Sequence, residues 1–341
     1  MPYHVYVTVS GEDRIARFAM DEASGALAPR DDVPLGGRPA YTAVHPSRRW
    51  MYVARKDARQ VTTFRIDAAD GALAEVGHLP IGSDPAYLAT DRAGRFLFSA
   101  SYFDGVVGVH RIGEDGAVTG DPIEWRHTGM RAHSMEADPG NRFVFVPHIC
   151  SEDGPNAIFQ FRFDAATGRL TPNEPDRCAP PGPDGPRHGV FHPALPLLYV
   201  SHEQGSSSGV YALDPARGTL THRQTVSTLP AGWTGENKTS QIRLTPDARF
   251  LYVPNRGHDS IAGFAVQPGS GLLTALGQTE AEHIPRALQV DPAGRFLLSA
   301  GHASGRLATY RIHGESGRLE RIATRDLGAV PMWITILPGE E

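Results

Sequence analysis

The chain has 341 residues, a formal net charge of −5 and two cysteines, Cys150 and Cys178. Its charges are spread without long runs of one sign, which argues against a nucleic-acid or anionic-membrane surface. The cysteines fit neither a CxxC metal motif nor a disulfide framework, and no stretch is long enough for a membrane-spanning helix. The N-terminal residues lack the basic and apolar regions of a secretion signal, so we expect a cytoplasmic protein without nucleic-acid or membrane partners.

A sequence unit recurs six times along the chain. Each copy has a short apolar run, a turn with a marker residue, and a second apolar run, as in Asp91 followed by Phe96-Leu97-Phe98. The markers are His45, Asp91, Asp138, His192, Thr245 and Asp291. They lie 46, 47, 54, 53 and 46 residues apart, which is regular enough to indicate repeated structural units.

Each copy continues with a third and a fourth run. Residues 61–66 and 261–266 are examples of the third, and the fourth is more polar. The fourth run begins near Leu73, Leu170, Leu220, Leu273 or Leu319. Alternating polarity, β-branched and aromatic content, and Gly, Pro and Asp at the turns predict strands rather than helices. Four strands in every unit are typical of the blades of a β-propeller.

The two ends of the chain supply a seventh blade. Residues 331–338 form a first strand with nothing after it, and residues 5–9 and 14–18 supply a second and a third strand. We therefore predict one all-β domain over residues 1–341, a seven-bladed β-propeller of four-stranded antiparallel blades. Pairing of the C-terminal strand with the N-terminal strands closes the ring and leaves no open edge. Two insertions, at 172–186 and 228–238, follow fourth strands. The sequence leaves open whether their segments around Pro181 and Trp233 act as lids over the site.

Polar residues are predicted at one mouth of the central channel. In an antiparallel blade the first strand begins, and the second ends, on the same face, so residues at these points form two rings. The first ring contains Arg38, Asp84, Arg131, His133, Arg187, His188, Gln241, Arg286 and Trp333. The second contains Ser10, Arg55, Lys56, Tyr102, His148, Glu203, Asn255, Arg256 and His302. A concave, polar mouth of this kind is the default binding site.

Each of these residues also has a purely structural interpretation. Arg187 and Glu203 come together at the open end of one hairpin and could be a salt bridge that ties two strands. The mouth histidines could be packed at strand ends with their hydrogen bonds satisfied. Neither HxH nor HExxH occurs, so a zinc site is weakly indicated, and no GxSxG nucleophile elbow is present. We expect neither a metal nor another cofactor.

Three motifs carry a resemblance that covers essentially the whole chain. They are Gly185-Pro186-Arg187-His188 with Phe191-His192-Pro193 and Glu203, residues 234–237 with 250–261, and Pro285-Arg286 with 291–297. They resemble the seven-bladed 6-phosphogluconolactonase family, which is similar to the fungal carboxymuconate lactonizing propellers. The resemblance implies a reacting cluster of His133, Arg187, Glu203 and Arg256, all of which the repeat places at the mouth. The chain departs from the family pattern at residues 55–56, 148–150 and 301–302.

The function that the resemblance implies is ring-opening hydrolysis of a sugar-derived aldono-lactone. Glu203 would be the general base for a water, Arg187 or Arg256 would meet the developing oxyanion, and His133 would donate a proton. The expected substrate-binding residues are His148, His188, Gln241, Arg286 and His302. Because His148 and His302 suit hydroxyl-rich groups, we expect an unphosphorylated aldono-1,5-lactone to be accepted. Arg55, Lys56 and Arg286 are either a phosphate site or part of a solvated rim.

Two other classes of function stay open. A lactone isomerase would move the acyl group between hydroxyls of one sugar, from a 1,5- to a 1,4-lactone, and a muconate-type cycloisomerase would remove a proton from carbon. A non-catalytic propeller would bind a protein or a sugar, as the fold allows. The missing WD dipeptide pattern and the clustering of ionisable residues in the mouth argue against a binding module. The sequence does not indicate an oligomeric state.

Overall fold

The computed structural model describes residues 2–339, which fold into seven β-sheets arranged as the blades of a propeller. The prediction of an all-β, seven-bladed architecture is therefore confirmed. The helical structure within these residues is one 3₁₀ turn, Ser10–Glu12. Within the same residues, no helix is long and apolar enough to cross a membrane.

The strands follow the chain blade by blade. The chain enters with β1 (Tyr3–Val9), β2 (Arg14–Met20) and β3 (Leu27–Pro34). The second blade is β4 (Pro39–Val44), β5 (Trp50–Arg55), β6 (Gln60–Ile66) and β7 (Leu73–Pro80). The third is β8 (Pro85–Thr90), β9 (Phe96–Ser101), β10 (Val106–Ile112) and β11 (Val118–His127). The fourth is β12 (Glu136–Ala137), β13 (Phe143–Ser151), β14 (Gly154–Asp164) and β15 (Arg169–Cys178).

The remaining blades complete the ring. The fifth is β16 (Pro186–Phe191), β17 (Leu197–His202), β18 (Ser207–Asp214) and β19 (Thr219–Ser227). The sixth is β20 (Lys238–Thr239), β21 (Arg243–Leu244), β22 (Phe250–Arg256), β23 (Ser260–Val266) and β24 (Leu273–Glu280). The seventh is β25 (Pro285–Val290), β26 (Phe296–Gly301), β27 (Arg306–Ile312) and β28 (Leu319–Asp326). The last strand, β29 (Pro331–Leu337), pairs antiparallel with β1, which confirms the predicted closure.

The marker residues of the repeat hold the turn between the first and second strands. The Asp91 carboxylate accepts hydrogen bonds from the backbone N–H groups of Arg95, at 2.6 Å, and Phe96, at 2.8 Å. Asp138 and Asp291 make the same pair of bonds in their own blades. Because these N–H groups would otherwise lack a partner, an acceptor is needed at this point of each blade, and this need explains the regular spacing.

Tyrosines on the second strands of four blades tie neighbouring blades together. Tyr6, Tyr52, Tyr199 and Tyr252 donate to the carbonyl oxygens of Gly71, Gly116, Gly271 and Gly317 at 2.7, 3.0, 2.8 and 2.8 Å. Each of these glycines lies in the turn before the fourth strand of the next blade. Each hydroxyl is thus satisfied while its ring fills the apolar space between two sheets.

The first strands of the fourth and sixth blades are interrupted, unlike the continuous strands that the repeat predicts. His133 donates its backbone N–H to Pro147 at 2.9 Å, and Ser240 donates to Pro254 at 3.1 Å. Proline has no N–H, so neither Pro147 nor Pro254 can return a hydrogen bond to its partner strand. The ladder therefore breaks at this point, which leaves only the short strands β12, β20 and β21.

The two insertions differ from one another. The first half of the 172–186 segment extends β15 to Cys178 and only the rest is a loop, so the prediction that this insertion follows the fourth strand is wrong for that half. The second insertion is a loop over residues 228–237, and Lys238 begins β20. In this loop Trp233 packs edge-on against His258, with 4.5 Å between ring centroids. The Trp233 indole donates to the carbonyl oxygen of Gly235 at 3.1 Å. Trp233 is therefore held by its own loop.

Candidate active site

A cavity of about 150 Å³, here called the mouth cavity, lies where first strands begin and second strands end. It is lined by Tyr41, Lys56, Ala86, Tyr102, Phe103, His133, Arg187, Glu203, Arg256 and Arg286. The four predicted catalytic residues and the predicted binding residue Arg286 thus lie together. They come from four different blades, so the site exists only in the closed ring.

β-bulges at the start of the first strands aim side chains into the mouth cavity. In β16 the pairing register shifts between Pro186 and His188, which leaves Arg187 without a partner on β17. The same shift in β25 leaves Arg286 unpaired, and the one in β8 leaves Ala86 unpaired. A bulge bends its strand and redirects the extra residue, so the arginines point along the channel rather than between the blades. The proline before each bulge lacks the N–H that a regular ladder requires.

Two guanidinium groups hold the Glu203 carboxylate by a single oxygen. Arg187 Nε lies 2.7 Å from Glu203 Oε2, and Arg256 Nη2 lies 3.0 Å from the same atom. Burial by itself raises the pKa of Glu203, but Arg187 and Arg256 outweigh it and lower the pKa below 4.5. Glu203 is thus an anion at neutral pH. Within residues 2–339, Glu203 Oε1 has no hydrogen-bond donor and is available to a ligand.

Of the arginines in the cluster, Arg187 is fully buried, whereas Arg256 and Arg286 are partly buried. Arg187 is only 1% exposed, and burial together with the nearby charge of Arg256 lowers its pKa to about 10. Burial also lowers the pKa of Arg256, and its Nε has no hydrogen-bond partner. The Nε of Arg286 is likewise buried without a partner. Unpaired buried donors are costly, so these N–H groups are suited to meet acceptor oxygens of a ligand.

His133 and His188 pack against each other in the channel, with 4.9 Å between ring centroids. Burial, followed by the charge of Arg187, holds the pKa of both histidines well below 6.5, so both rings are neutral at neutral pH. Nδ1 of His133 and Nε2 of His188 are buried without a partner. His188 accepts from Arg187 Nη1 at 3.1 Å and lies against Tyr87 and Trp333, and it does not line the mouth cavity.

Tyr41 is a cavity residue that the sequence analysis missed. Arg286 Nη2 donates to its hydroxyl oxygen at 3.3 Å, and Lys56 Nζ lies 5.9 Å from the ring centroid. Lys56 is itself paired with Asp84 at 3.0 Å. The sequence repeat could have identified Tyr41, because Tyr41 precedes the marker His45 by the same number of residues as His188 precedes His192.

Four of the five predicted binding residues, His148, His188, Gln241 and His302, do not line the mouth cavity. His148 is fully buried, and its ring nitrogens lie 3.0 Å from the Val146 carbonyl oxygen and 3.0 Å from the Thr128 hydroxyl. Gln241 accepts from the backbone N–H of Leu288 at 2.7 Å and thereby joins the sixth and seventh blades.

The other outlying residues lie at the edge of the site. His302 is half-buried, and burial and the charge of Arg286 lower its pKa, but it does not line the mouth cavity. Arg55, a candidate for a phosphate site, instead donates to the carbonyl oxygen of Gly36 at 2.6 Å. Neither insertion contributes to the lining, whereas Phe103, which is 59% exposed, does. Within residues 2–339, no three His, Cys, Asp or Glu side chains converge on one point.

The comparison with protein families is decisive at this point. The family described as "Lactonase, 7-bladed beta-propeller" matches residues 3–336. The chain belongs to this lactonase family. The resemblance seen in the sequence motifs is therefore confirmed, and the lactonase family supplies the class of chemistry against which the mouth cavity is judged.

Individual lactonase relatives support this membership over most of the chain. The chain is 36% identical to the 6-phosphogluconolactonase of Pectobacterium carotovorum subsp. carotovorum over 241 residues, which cover 71% of each chain. It is 34% identical to that of Serratia proteamaculans over 241 residues, again 71% of each. A solved structure titled periplasmic gluconolactonase, from Pseudomonas aeruginosa, is 26% identical, covers 100% of both chains and has a TM-score of 0.91.

Proposed function

We propose that this chain is an enzyme that hydrolyses a sugar lactone, adding water to the acyl carbon and opening the ring. The observation that carries the proposal is the mouth cavity, in which the buried Arg187 and the partly buried Arg256 and Arg286 surround one ionised glutamate. Lactone opening develops negative charge on the carbonyl oxygen, and preorganised cations stabilise such charge. Relatives titled 6-phosphogluconolactonase and gluconolactonase support the choice of a sugar lactone.

Glu203 is the proposed general base. Its Oε2 is held by Arg187 and Arg256, whereas Oε1 lacks a protein donor and can accept a proton from a water at the acyl carbon. The lowered pKa makes this carboxylate a weak base, but at neutral pH it is deprotonated, which is the form that accepts a proton. Fixing it by two guanidinium groups supplies the orientation on which general-base catalysis depends.

Arg256 and Arg286 are the proposed oxyanion partners, because each has a buried Nε without a partner. Arg187 contributes charge, but two of its N–H groups are used by Glu203 and His188. For His133, the neutral ring fits a hydrogen bond to the substrate or acceptance of a proton better than the proton donation that we expected from the sequence. The donor for the leaving oxygen is considered in the next subsection.

The charge of the mouth cavity favours an anionic lactone. Lys56, Arg187, Arg256 and Arg286 line it, against Glu203 and the Asp84 that pairs with Lys56. We infer that a phosphorylated aldono-lactone has the lower KM. His148 and His302, the residues that pointed to an unphosphorylated 1,5-lactone, do not line the mouth cavity. Acceptance of that lactone stays a prediction.

The decisive experiment follows glucono-1,5-lactone and its 6-phosphate by NMR in H₂¹⁸O, with spontaneous opening subtracted. Hydrolysis places ¹⁸O in the carboxylate of every product from the earliest time point. Transfer of the acyl group to another hydroxyl gives an unlabelled 1,4-lactone, and this result would replace hydrolysis by isomerisation. No acceleration of either lactone would overturn the proposed function.

The cytoplasmic location also belongs to the proposal. It stays a prediction, and the structural relative from Pseudomonas aeruginosa is titled periplasmic. Fractionation of a tagged chain in its own host, with marker enzymes for each compartment, tests it. Recovery in the periplasmic fraction would contradict it.

A further inference from the structure

Tyr41 differs in its hydrogen bonding from the tyrosines that tie the blades together. Tyr6, Tyr52, Tyr199 and Tyr252 each give their hydroxyl proton to a glycine carbonyl oxygen. The Tyr41 oxygen instead accepts from Arg286, and within residues 2–339 no group accepts the Tyr41 hydroxyl proton. Tyr41 is nevertheless only 3% exposed and lines the mouth cavity. Its O–H therefore lies where a bound molecule could accept a hydrogen bond.

Trp333 and the strand backbone set the position of the Tyr41 ring. The ring packs edge-on against Trp333, with centroids 5.5 Å apart, and Tyr41 lies in the bulge of β4, between the paired residues Pro39 and Thr42. A side chain held by a bulge and an aromatic contact keeps one orientation, which a group that transfers a proton requires.

The surroundings of Tyr41 stabilise its anion. Burial alone raises the pKa of the phenol, but the charges of Arg286, Lys56 and Arg187 outweigh burial and hold the pKa below 10.0. The tyrosines that tie the blades show the contrast, because burial raises the pKa of Tyr6 and Tyr199 well above 10.0, and the charge of Arg17 near Tyr6 does not outweigh it. A proton donor works best when its pKa lies near the working pH, so Tyr41 is the better suited of these phenols.

We propose that Tyr41 is the general acid that protonates the leaving ring oxygen when the lactone opens; this inference rests on the proposed function. The water oxygen bonds to the acyl carbon, and the water proton passes to Glu203. The bond from the acyl carbon to the ring oxygen then breaks, and its electron pair takes the hydroxyl proton of Tyr41. The tyrosinate is stabilised by Arg286 and Lys56 until the proton held by Glu203 returns to it through solvent. The net reaction is lactone plus water to hydroxy acid.

No other group lining the mouth cavity meets the requirements as well. His133 is neutral, because burial and Arg187 lower its pKa, so it lacks the extra proton of an imidazolium. The Lys56 ammonium is engaged with Asp84 at 3.0 Å, and Arg286 donates to Tyr41 itself. Tyr102 also lines the mouth cavity, but burial raises the pKa of its phenol. A sugar alkoxide is a poor leaving group, so this step needs a donor.

The test compares Tyr41→Phe with Tyr199→Phe on glucono-1,5-lactone and its 6-phosphate, using the full chain. Tyr199→Phe is the matched control, because it also removes one buried hydroxyl but breaks a bond to Gly271 away from the mouth cavity. We expect Tyr41→Phe to lower kcat by about 100-fold or more, the usual contribution of a general acid. Tyr199→Phe should lower the melting temperature and keep the wild-type kcat.

The pH dependence of kcat separates proton transfer from a structural role. A general acid acts only while protonated, so wild-type kcat should fall on the alkaline side as Tyr41 ionises, and Tyr41→Phe should lack this fall. The difference in absorbance at 295 nm between wild type and Tyr41→Phe should titrate as one tyrosine below pH 10. The other titratable and charged groups lining the mouth cavity are Lys56, Tyr102, His133, Arg187, Glu203, Arg256 and Arg286. Tyr41→Phe leaves all of them in place, so a fall that disappears in this variant belongs to Tyr41.

Each result decides the proposal. Wild-type kcat in Tyr41→Phe, or a lowered kcat with the alkaline fall retained, would overturn the role of Tyr41 and leave lactone hydrolysis intact. A wild-type chain that opens neither lactone would overturn the proposed function itself. In that case the absorbance titration still measures the ionisation of Tyr41.

Discussion

Replacing Glu203 by glutamine removes the one buried carboxylate that two arginines share in the mouth cavity. The side chain keeps its size, so the change is chiefly a loss of negative charge. Glu203 Oε2 lies 2.7 Å from Arg187 Nε and 3.0 Å from Arg256 Nη2, and the glutamine oxygen can keep only weaker, neutral hydrogen bonds to them. Arg187, Arg256 and Arg286 then repel one another without a counter-charge.

Both stability and turnover should fall. At an effective dielectric constant of about 20, each ion pair at these distances is attractive by about 5–6 kcal/mol before desolvation is counted. Desolvation offsets part of this, and removal of one partner from a buried pair typically costs about 3–5 kcal/mol of unfolding free energy. We expect the lower end for Glu203→Gln, since the amide oxygen still accepts. Loss of the general base should lower kcat by about 100- to 10,000-fold.

Glu282→Gln is the matched control for Glu203→Gln. Glu282 is also buried and is paired with Arg321 at 2.9 Å, but it does not line the mouth cavity. Both variants should lose melting temperature in a thermal scan, and only Glu203→Gln should lose turnover in the lactone assay. If Glu203→Gln turns over both lactones at the wild-type rate, Glu203 is not the base. If both variants lose activity equally, the loss comes from stability alone.

Four further predictions follow from the same structure. Arg187→Lys should lower kcat by about 100-fold, because a lysine ammonium cannot reproduce the planar guanidinium that contacts both Glu203 and His188. A wild-type kcat would show that Arg187 only ties the two strands together. Phe103→Ala should raise KM by about two- to tenfold with kcat unchanged, because its exposed ring at the mouth cavity can stack on a sugar; an unchanged KM would contradict this contact. The melting temperature should fall as the pH drops below 6.5, since burial lowers the pKa of His148 to about 4 and of His202 to about 3. Their unfolded rings then bind protons that the folded rings do not, so stability is present above pH 6.5 and is lost toward pH 4, and a flat profile would refute this account. Activity should survive dialysis against EDTA, and a loss that Zn²⁺ restores would assign a metal to the channel histidines.

The amino-acid sequence alone was sufficient for the fold and for most of the mouth cavity. The spacing of marker residues such as Asp91 and Asp138 identified the blades, because every blade needs an acceptor at the same turn. Residues 331–338 then showed that the ring closes through the C-terminal strand. Counting from the ends of the strands placed Arg187, Glu203 and Arg256 at one mouth, since an antiparallel pair fixes which strand ends share a face.

Only the tertiary structure decided which members of the two predicted rings meet. His148 and Glu203 both follow second strands, yet His148 turns between sheets and Glu203 turns into the mouth cavity. Tyr41 enters the mouth cavity through the bulge of β4. A bulge reverses the side-chain alternation on which sequence periodicity depends. Of the charges that lower the pKa of the Tyr41 phenol, Arg286 and Arg187 lie far along the chain in other blades, and only Lys56 comes from the same blade. Their proximity depends on the curvature and closure of the whole ring, which no local pattern of residues encodes.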